Sequence, residues 1–177
     1  MKTWKKVTLG TVALGSAALL AACGNSGSSS SSSSKDIQWN LTSPIQTLDS
    51  SLATDTYSNI IIGNTNAGLT RVDKDGKAQP ELAKSVDVSK DGLTYTFHLR
   101  DGLKWSNGDA LTAKDFVYSW QRAVDPATAS EYGYLLGPVK NANEINGGKA
   151  DKSTLGVKAT DDKTFVVTLA QPTPYFE

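Results

Sequence analysis

Ser85-Val86-Asp87-Val88-Ser89-Lys90-Asp91-Gly92-Leu93-Thr94-Tyr95-Thr96-Phe97-His98-Leu99-Arg100 is the stretch from which the fold reads most directly. Val86 and Val88 alternate with Ser85, Asp87 and Ser89, the period of a strand with one buried face. Tyr95, Phe97 and Leu99 alternate with Thr94, Thr96, His98 and Arg100 on the return, and Lys90-Asp91-Gly92 between them has turn chemistry. The segment predicts an antiparallel hairpin.

Working outward, the same grammar recurs. Val157 and Ala159, the turn Asp161-Asp162-Lys163, and Phe165, Val167 and Leu169 predict a second hairpin. Between the two lies a helix. Thr112 can cap it, Asp115 stands three residues on as in a capping box, and Leu111 and Phe116 occupy the positions of a hydrophobic staple. Phe116, Val117, Trp120 and Val124 form its apolar stripe, and Asp125-Pro126 ends it. Val139 to Ile145 predicts a short helix closed by Gly147-Gly148. Upstream, Ile37, Trp39 and Leu41 alternate as a strand would, and Ser43-Pro44 breaks the pattern. Tyr57, Ile60 and Ile61 fit one face of a helix over Thr54 to Asn66, stopped by Gly68. Leu69 and Val72 lead into Asp73-Lys74-Asp75-Gly76, a turn. Strands and helices mixed in this order, with hairpins, predict an antiparallel α+β (mixed α/β) class.

The first thirty-odd residues have a different character. Lys2, Lys5 and Lys6 precede an uncharged stretch from Val7 to Leu20 and the small residues Ala21-Ala22, the pattern of a secretory signal. That stretch is shorter than the roughly 20 residues a membrane-spanning helix needs. Leu20-Ala21-Ala22-Cys23-Gly24 resembles the bacterial lipobox, in which the cysteine is lipidated and becomes the mature N-terminus; Cys23 is the only cysteine in the chain. Two acyl chains anchor stably where one does not. Gly24 to Ser34 is a Ser/Gly coil with nothing to bury, so it is expected to act as a disordered tether.

Composition narrows the chemistry. The 177 residues carry 18 basic and 18 acidic side chains, a formal net charge of zero, which gives no drive toward nucleic acid. One cysteine and one histidine, His98, exclude a disulfide framework, Cys-based zinc sites and most His-based metal and triad chemistry. His98 falls on the polar face of its strand, and no serine sits in a G-x-S-x-G elbow. Asp73-Lys74-Asp75-Gly76 has its glycine too early for a calcium loop. Asp115 and Asp125 are accounted for by helix capping and termination, so they do not make an acid/base pair with Asp109. No catalytic residue, metal site or cofactor is predicted. Trp39, Trp105 and Trp120 are candidates for a ligand cleft, with core packing the stronger reading for Trp39 and Trp120. Tyr132 and Tyr134, in a loop between Asp125-Pro126 and Gly137-Pro138, suit either a binding surface or the cover of a core.

The run Tyr95 to Gly102, Lys104-Trp105-Ser106-Asn107-Gly108 and Leu111 to Arg122 resembles the oligopeptide-binding lipoproteins of ABC importers, the peptide- and nickel-type extracellular solute-binding proteins. Pro80-Glu81-Leu82-Ala83, Asp125 to Ser130, Leu155 to Ala159 and Pro172 to Phe176 extend the match over Lys35 to Glu177. The resemblance implies a periplasmic-binding-protein-like two-lobe fold of which this chain is an incomplete, N-terminal part. It divides the chain into a signal peptide (1–22), the lipidated cysteine and tether (23–34), the start of the first ligand-binding lobe (35–67) and most of a smaller inserted domain rich in antiparallel hairpins (68–177). It implies a lipid-anchored, monomeric receptor on the outer (extracellular or periplasmic) face of the cell membrane that hands oligopeptides to an ABC permease. By position, Thr54, Asp55, Thr56 and Tyr57 match a stretch bordering the peptide, and Tyr132 matches a cleft tyrosine, with Tyr134 beside it. Two alternatives stay open: the same family binding a nickel chelate, haem or a signalling peptide, and a surface adhesin or chaperone-like protein without transport.

Overall fold

A computed structural model describes residues 38–176. Chain contacts divide the protein at Asn40/Leu41; of the first unit only residues 38–40 are described, and they carry no regular structure. Ile37, Cys23 and the signal and tether segments lie outside the described residues.

The second unit is built on four antiparallel strands: β3 (Ala83–Val88), β4 (Thr94–Leu99), β5 (Val157–Asp161) and β6 (Thr164–Thr168), in the order β3-β4-β6-β5. They are preceded by helix α1 (Thr56–Thr65) and the small hairpin β1 (Thr70–Val72) and β2 (Ala78–Pro80). Helices α2 (Ala113–Val124) and α3 (Ala142–Asn146), with short 3₁₀ turns at Pro126–Thr128, Gly133–Leu136 and Lys152–Thr154, make up the rest.

The first hairpin turns as its residues dictate. Gly92 takes φ of 69°, open to a residue without Cβ, and Asp91 Oδ1 accepts the Leu93 N–H at 3.1 Å. Asp73 likewise closes its own turn, accepting the N–H of Asp75 at 2.9 Å and of Lys77 at 3.0 Å. Its carboxylate is used within the turn and is no calcium ligand set.

What joins the two hairpins is the pairing of their second strands. Phe97 lies opposite Phe165, and Tyr95 opposite Val167. Strand period puts Tyr95, Phe97 and Leu99 on one face with Phe165 and Val167, and α2 covers that combined stripe. Phe165, fully buried, is its centre: Phe97, Phe116 and Trp120 surround it at ring-centroid distances of 6.1, 5.7 and 5.2 Å. Burial of one such side chain stabilises by about 1.5–3 kcal/mol, and each well-oriented ring pair by about 0.5–1.5 kcal/mol more. Trp120 is therefore a core residue.

Helix α2 starts where its capping signal says. Asp115 Oδ2 accepts from the N–H and the hydroxyl of Thr112 at 2.7 and 3.0 Å. It ends at Asp125, whose extended backbone (φ −67°, ψ 121°) is the conformation that a following proline imposes.

Several expectations need correction. Residues 38–41 form no strand, and Trp39 is 56% exposed, so it does not pack in the core. Among the described residues the hydrophobic alternation there finds no paired strand. Helix α1 begins at Thr56, and Asn66, not Gly68, ends it in an extended conformation. Of its residues only Ser58 is fully buried, while Tyr57, Ile60 and Ile61 are partly buried. The short helix starts at Ala142 rather than Val139, because Val139 bridges to Leu169 and Asn141 adopts a left-handed φ of 66°. Near the end, Tyr175 is exposed, but Phe176 folds back onto Tyr95 and Trp120 at 5.0 and 6.2 Å.

Candidate functional site

The residues singled out in the sequence fall into two groups in the fold. The first opens α1. Asp55 is its N-cap, Oδ1 accepting the Ser58 N–H at 2.9 Å, and hydrogen bonding from Ser58 holds the carboxyl below the usual carboxylate range. Its other oxygen, Oδ2, is enclosed and has no hydrogen-bond partner among the described residues. Thr54 and Thr56 are exposed on either side, and the half-buried Tyr57 sets its hydroxyl against that of Thr42. The cap explains why an aspartate stands at position 55; it leaves one carboxylate oxygen with acceptor capacity to spare.

The second group sits beyond α2. Tyr132 precedes the 3₁₀ turn Gly133–Leu136 and Tyr134 lies within it. Both are exposed, 43% and 59%, with ring centroids 6.3 Å apart and planes at 60°. They do not cover the core; they present two phenol faces and two hydroxyls to solvent. Neighbouring Leu135 is 62% exposed and enlarges the apolar part of this surface. Gly133 between them is required by space: a Cβ there would come within 2.7 Å of the Ala123 carbonyl oxygen and 3.1 Å of Asn146 Oδ1. Among the described residues no hydrogen bond or ring contact joins Thr54–Tyr57 to Tyr132 or Tyr134.

One ion pair that the sequence reading passed over ties the segment leading into the first group to α2. Arg122 donates from Nη1 to Asp49 Oδ1 at 2.8 Å and from Nη2 to Oδ2 at 2.5 Å. That two-pronged bond holds the Asp49 carboxyl below its ordinary range and raises the guanidinium. A basic residue in the last turn of a helix is ordinarily read as a partner of the helix dipole, which conceals the fork. Asp49 is also the knot of its own segment: Oδ1 accepts from Ser51 N–H, and its carbonyl from Leu52 and Ala53.

The other candidates resolve simply. Trp105 is half-exposed and stands apart from both groups, within the turn where Trp105 N–H bonds to Asp109 and Gly108 N–H to Trp105. His98 pairs across strands with Asp87 Oδ2 at 2.9 Å, an exposed polar-face contact. A cleft of about 300 Å³ opens between the exit of α1 and α2, walled by Gly68, Leu69, Phe97, Phe116, Trp120 and Phe176. Its walls are mostly core aromatics, joined by the polar Ser119 and Thr70; of the sequence candidates only Trp120 lines it, and neither Thr54–Tyr57 nor Tyr132 and Tyr134 do. Among the described residues, no group of three His, Cys, Asp or Glu side chains is placed to hold a metal ion, and no helix is long and apolar enough to cross a membrane.

Comparison with known proteins decides the kinship. Residues 77–177 match the family model of the bacterial extracellular solute-binding proteins, family 5, middle region. The chain belongs to that family. A dipeptide-binding protein of Lactococcus lactis subsp. cremoris is 56% identical over 177 residues, covering all of this chain and 32% of the relative. The oligopeptide-binding protein OppA of Bacillus subtilis is 42% identical over 182 residues, covering 99% of this chain and 33% of its own length. Among solved structures, the substrate-binding domain of an oligopeptide ABC transporter from Bacillus anthracis superposes with a TM-score of 0.73. It is 52% identical, over 75% of this chain and 26% of that one. The periplasmic-binding-protein-like, mixed α/β architecture follows, and the chain spans about a third of the length of the two named relatives and 26% of that solved chain.

Proposed function

We propose that this chain is part of a lipid-anchored receptor that captures oligopeptides outside the cell and delivers them to an ABC permease. The observation that carries the proposal is identity to a dipeptide-binding family member along the whole chain, 56% over 177 residues. The surface chemistry agrees with it. A peptide main chain offers alternating N–H donors and C=O acceptors, and a receptor of broad specificity holds these rather than the side chains. The Tyr132 and Tyr134 hydroxyls, on exposed residues beside the exposed Leu135, both donate and accept. Phenol faces accept varied side chains at low conformational cost. In this reading Thr54, Asp55, Thr56 and Tyr57 border the peptide on one side and Tyr132 and Tyr134 meet it on the other.

The anchor is Cys23. Its lipobox setting and the serine tether behind it would hold the domain at the outer face of the cell membrane while leaving it free to move within reach of a permease. The receptor carries out no chemistry on its cargo.

A host that must take an essential amino acid from oligopeptides tests capture, anchoring and delivery together. Deleting the gene should abolish growth on oligopeptides, and the complete product of the reading frame should restore it. Cys23→Ser should restore it poorly, with the protein shed into the medium. Undiminished growth of the deletion strain, with loss instead of nickel or haem acquisition, would transfer the protein to another cargo.

A further inference from the structure

The last turn of α2 holds both candidate binding segments. At Arg122 the guanidinium grips Asp49 through two parallel hydrogen bonds. From Asp49 the chain folds over its own carbonyl to Ala53 and reaches Thr54–Tyr57 directly. The same segment is pinned from its other side, Thr47 N–H donating to Ser58 Oγ at 3.3 Å and Asp49 N–H to Thr47 Oγ1 at 3.1 Å. At Ala123, the next residue of α2, the carbonyl oxygen would stand only 2.7 Å from a Cβ on Gly133, so the Tyr132–Tyr134 turn rests closely against the helix.

We infer that Arg122 is a positioning residue: through Asp49 it sets where Thr54–Tyr57 stands relative to Tyr132 and Tyr134, without touching the ligand. The inference rests on the peptide-receptor reading for its consequence, but its geometric content stands on the fork alone. The fork suits this task better than a single charge would. A guanidinium meeting a carboxylate through two N–H groups fixes direction and rotation as well as distance, whereas a lysine ammonium is a point charge on a flexible stem. Both side chains are about a third exposed, at 34% and 29%, so the pair adds little to global stability while still defining local geometry.

Two measurements on the complete product of the reading frame test this. In a cysteine-free background, spin labels at the exposed positions 56 and 134 report the separation of the two segments by electron double resonance. The wild-type pair should give one narrow distance; Arg122→Gln and Asp49→Asn should broaden it, and Arg122→Lys should broaden it partially. Peptide affinity, measured by calorimetry with an equimolar peptide mixture, should fall about tenfold in Arg122→Gln and Asp49→Asn, the scale of one lost charge-assisted contact. The double variant should be no worse than either single variant. Asp49→Asn keeps the acceptor for Ser51 N–H, so it stays folded if Arg122→Gln does not. An unchanged narrow distance in both single variants overturns the inference whatever the peptide does, as does wild-type affinity in Arg122→Lys with a wild-type distance. Broadening in variants of a protein that binds no peptide upholds the positioning role and overturns the peptide reading instead.

Discussion

Asp49, Asp101 and Asp125 are each held below the ordinary carboxylate range by one hydrogen-bonded cation, Arg122, Lys163 and Lys152 respectively. A carboxylate whose folded pKa is lowered contributes stability above its unfolded pKa of about 3.9 and loses it as pH falls through the folded value. Stability should therefore hold steady from about pH 5 upward and decline below about pH 4. Asp49→Asn should change that acid limb only slightly, since the pair is partly exposed and adds little to global stability, and urea midpoints at acid and neutral pH would show it. At the same scale, Tyr132→Ala and Tyr134→Ala should leave the urea midpoint unchanged, since both rings are exposed. Each should weaken peptide binding by about 1 kcal/mol or more, the usual cost of removing an aromatic contact residue. Single residues were the least legible level of the sequence. Tyr132 and Tyr134 drew notice as loop aromatics, yet only coordinates separate exposed rings from core cover. Arg122 and Asp49 are 73 positions apart, and no local pattern announces such a pair.

The two hairpins and α2 were legible because each carried two agreeing signals. The first hairpin had alternation and an Asp-Gly turn; α2 had a capping box, an apolar stripe and a terminating Asp-Pro. Trp39 and α1 show the limit. Periodicity was present there, yet Trp39 is 56% exposed and Ile60 and Ile61 are only partly buried. Pairing between distant strands was also invisible: nothing local says that β4 lies beside β6 rather than at an edge. That pairing makes Phe165 the centre of the core, so Phe165→Ala should cost about 3–5 kcal/mol in chemical denaturation. Gly133→Ala should be destabilising by about 1–3 kcal/mol, because a methyl cannot fit against the Ala123 carbonyl. That substitution should also shift Tyr132 and Tyr134 and so reduce peptide binding beyond its effect on stability, a difference visible when both are measured at a temperature well below unfolding.

For the whole molecule, kinship rested on blocks that composition could not supply: Trp105 to Gly108, Asp115 to Arg122 and Asp125-Pro126 lie within the matched family region. Zero net charge, one histidine and one cysteine only removed alternatives. The lone cysteine carries its own prediction: mass spectrometry of the membrane fraction should find diacylglyceryl on Cys23 as the first residue, and Cys23→Ser should abolish it. Capture of peptides remains the claim on which the rest depends. Isothermal titration of the complete product, purified without its signal, against a mixture of di- to decapeptides tests it most directly. A saturable heat that vanishes when Tyr132 and Tyr134 are both replaced by alanine is the predicted result; a folded protein that gives no heat with any peptide would contradict it.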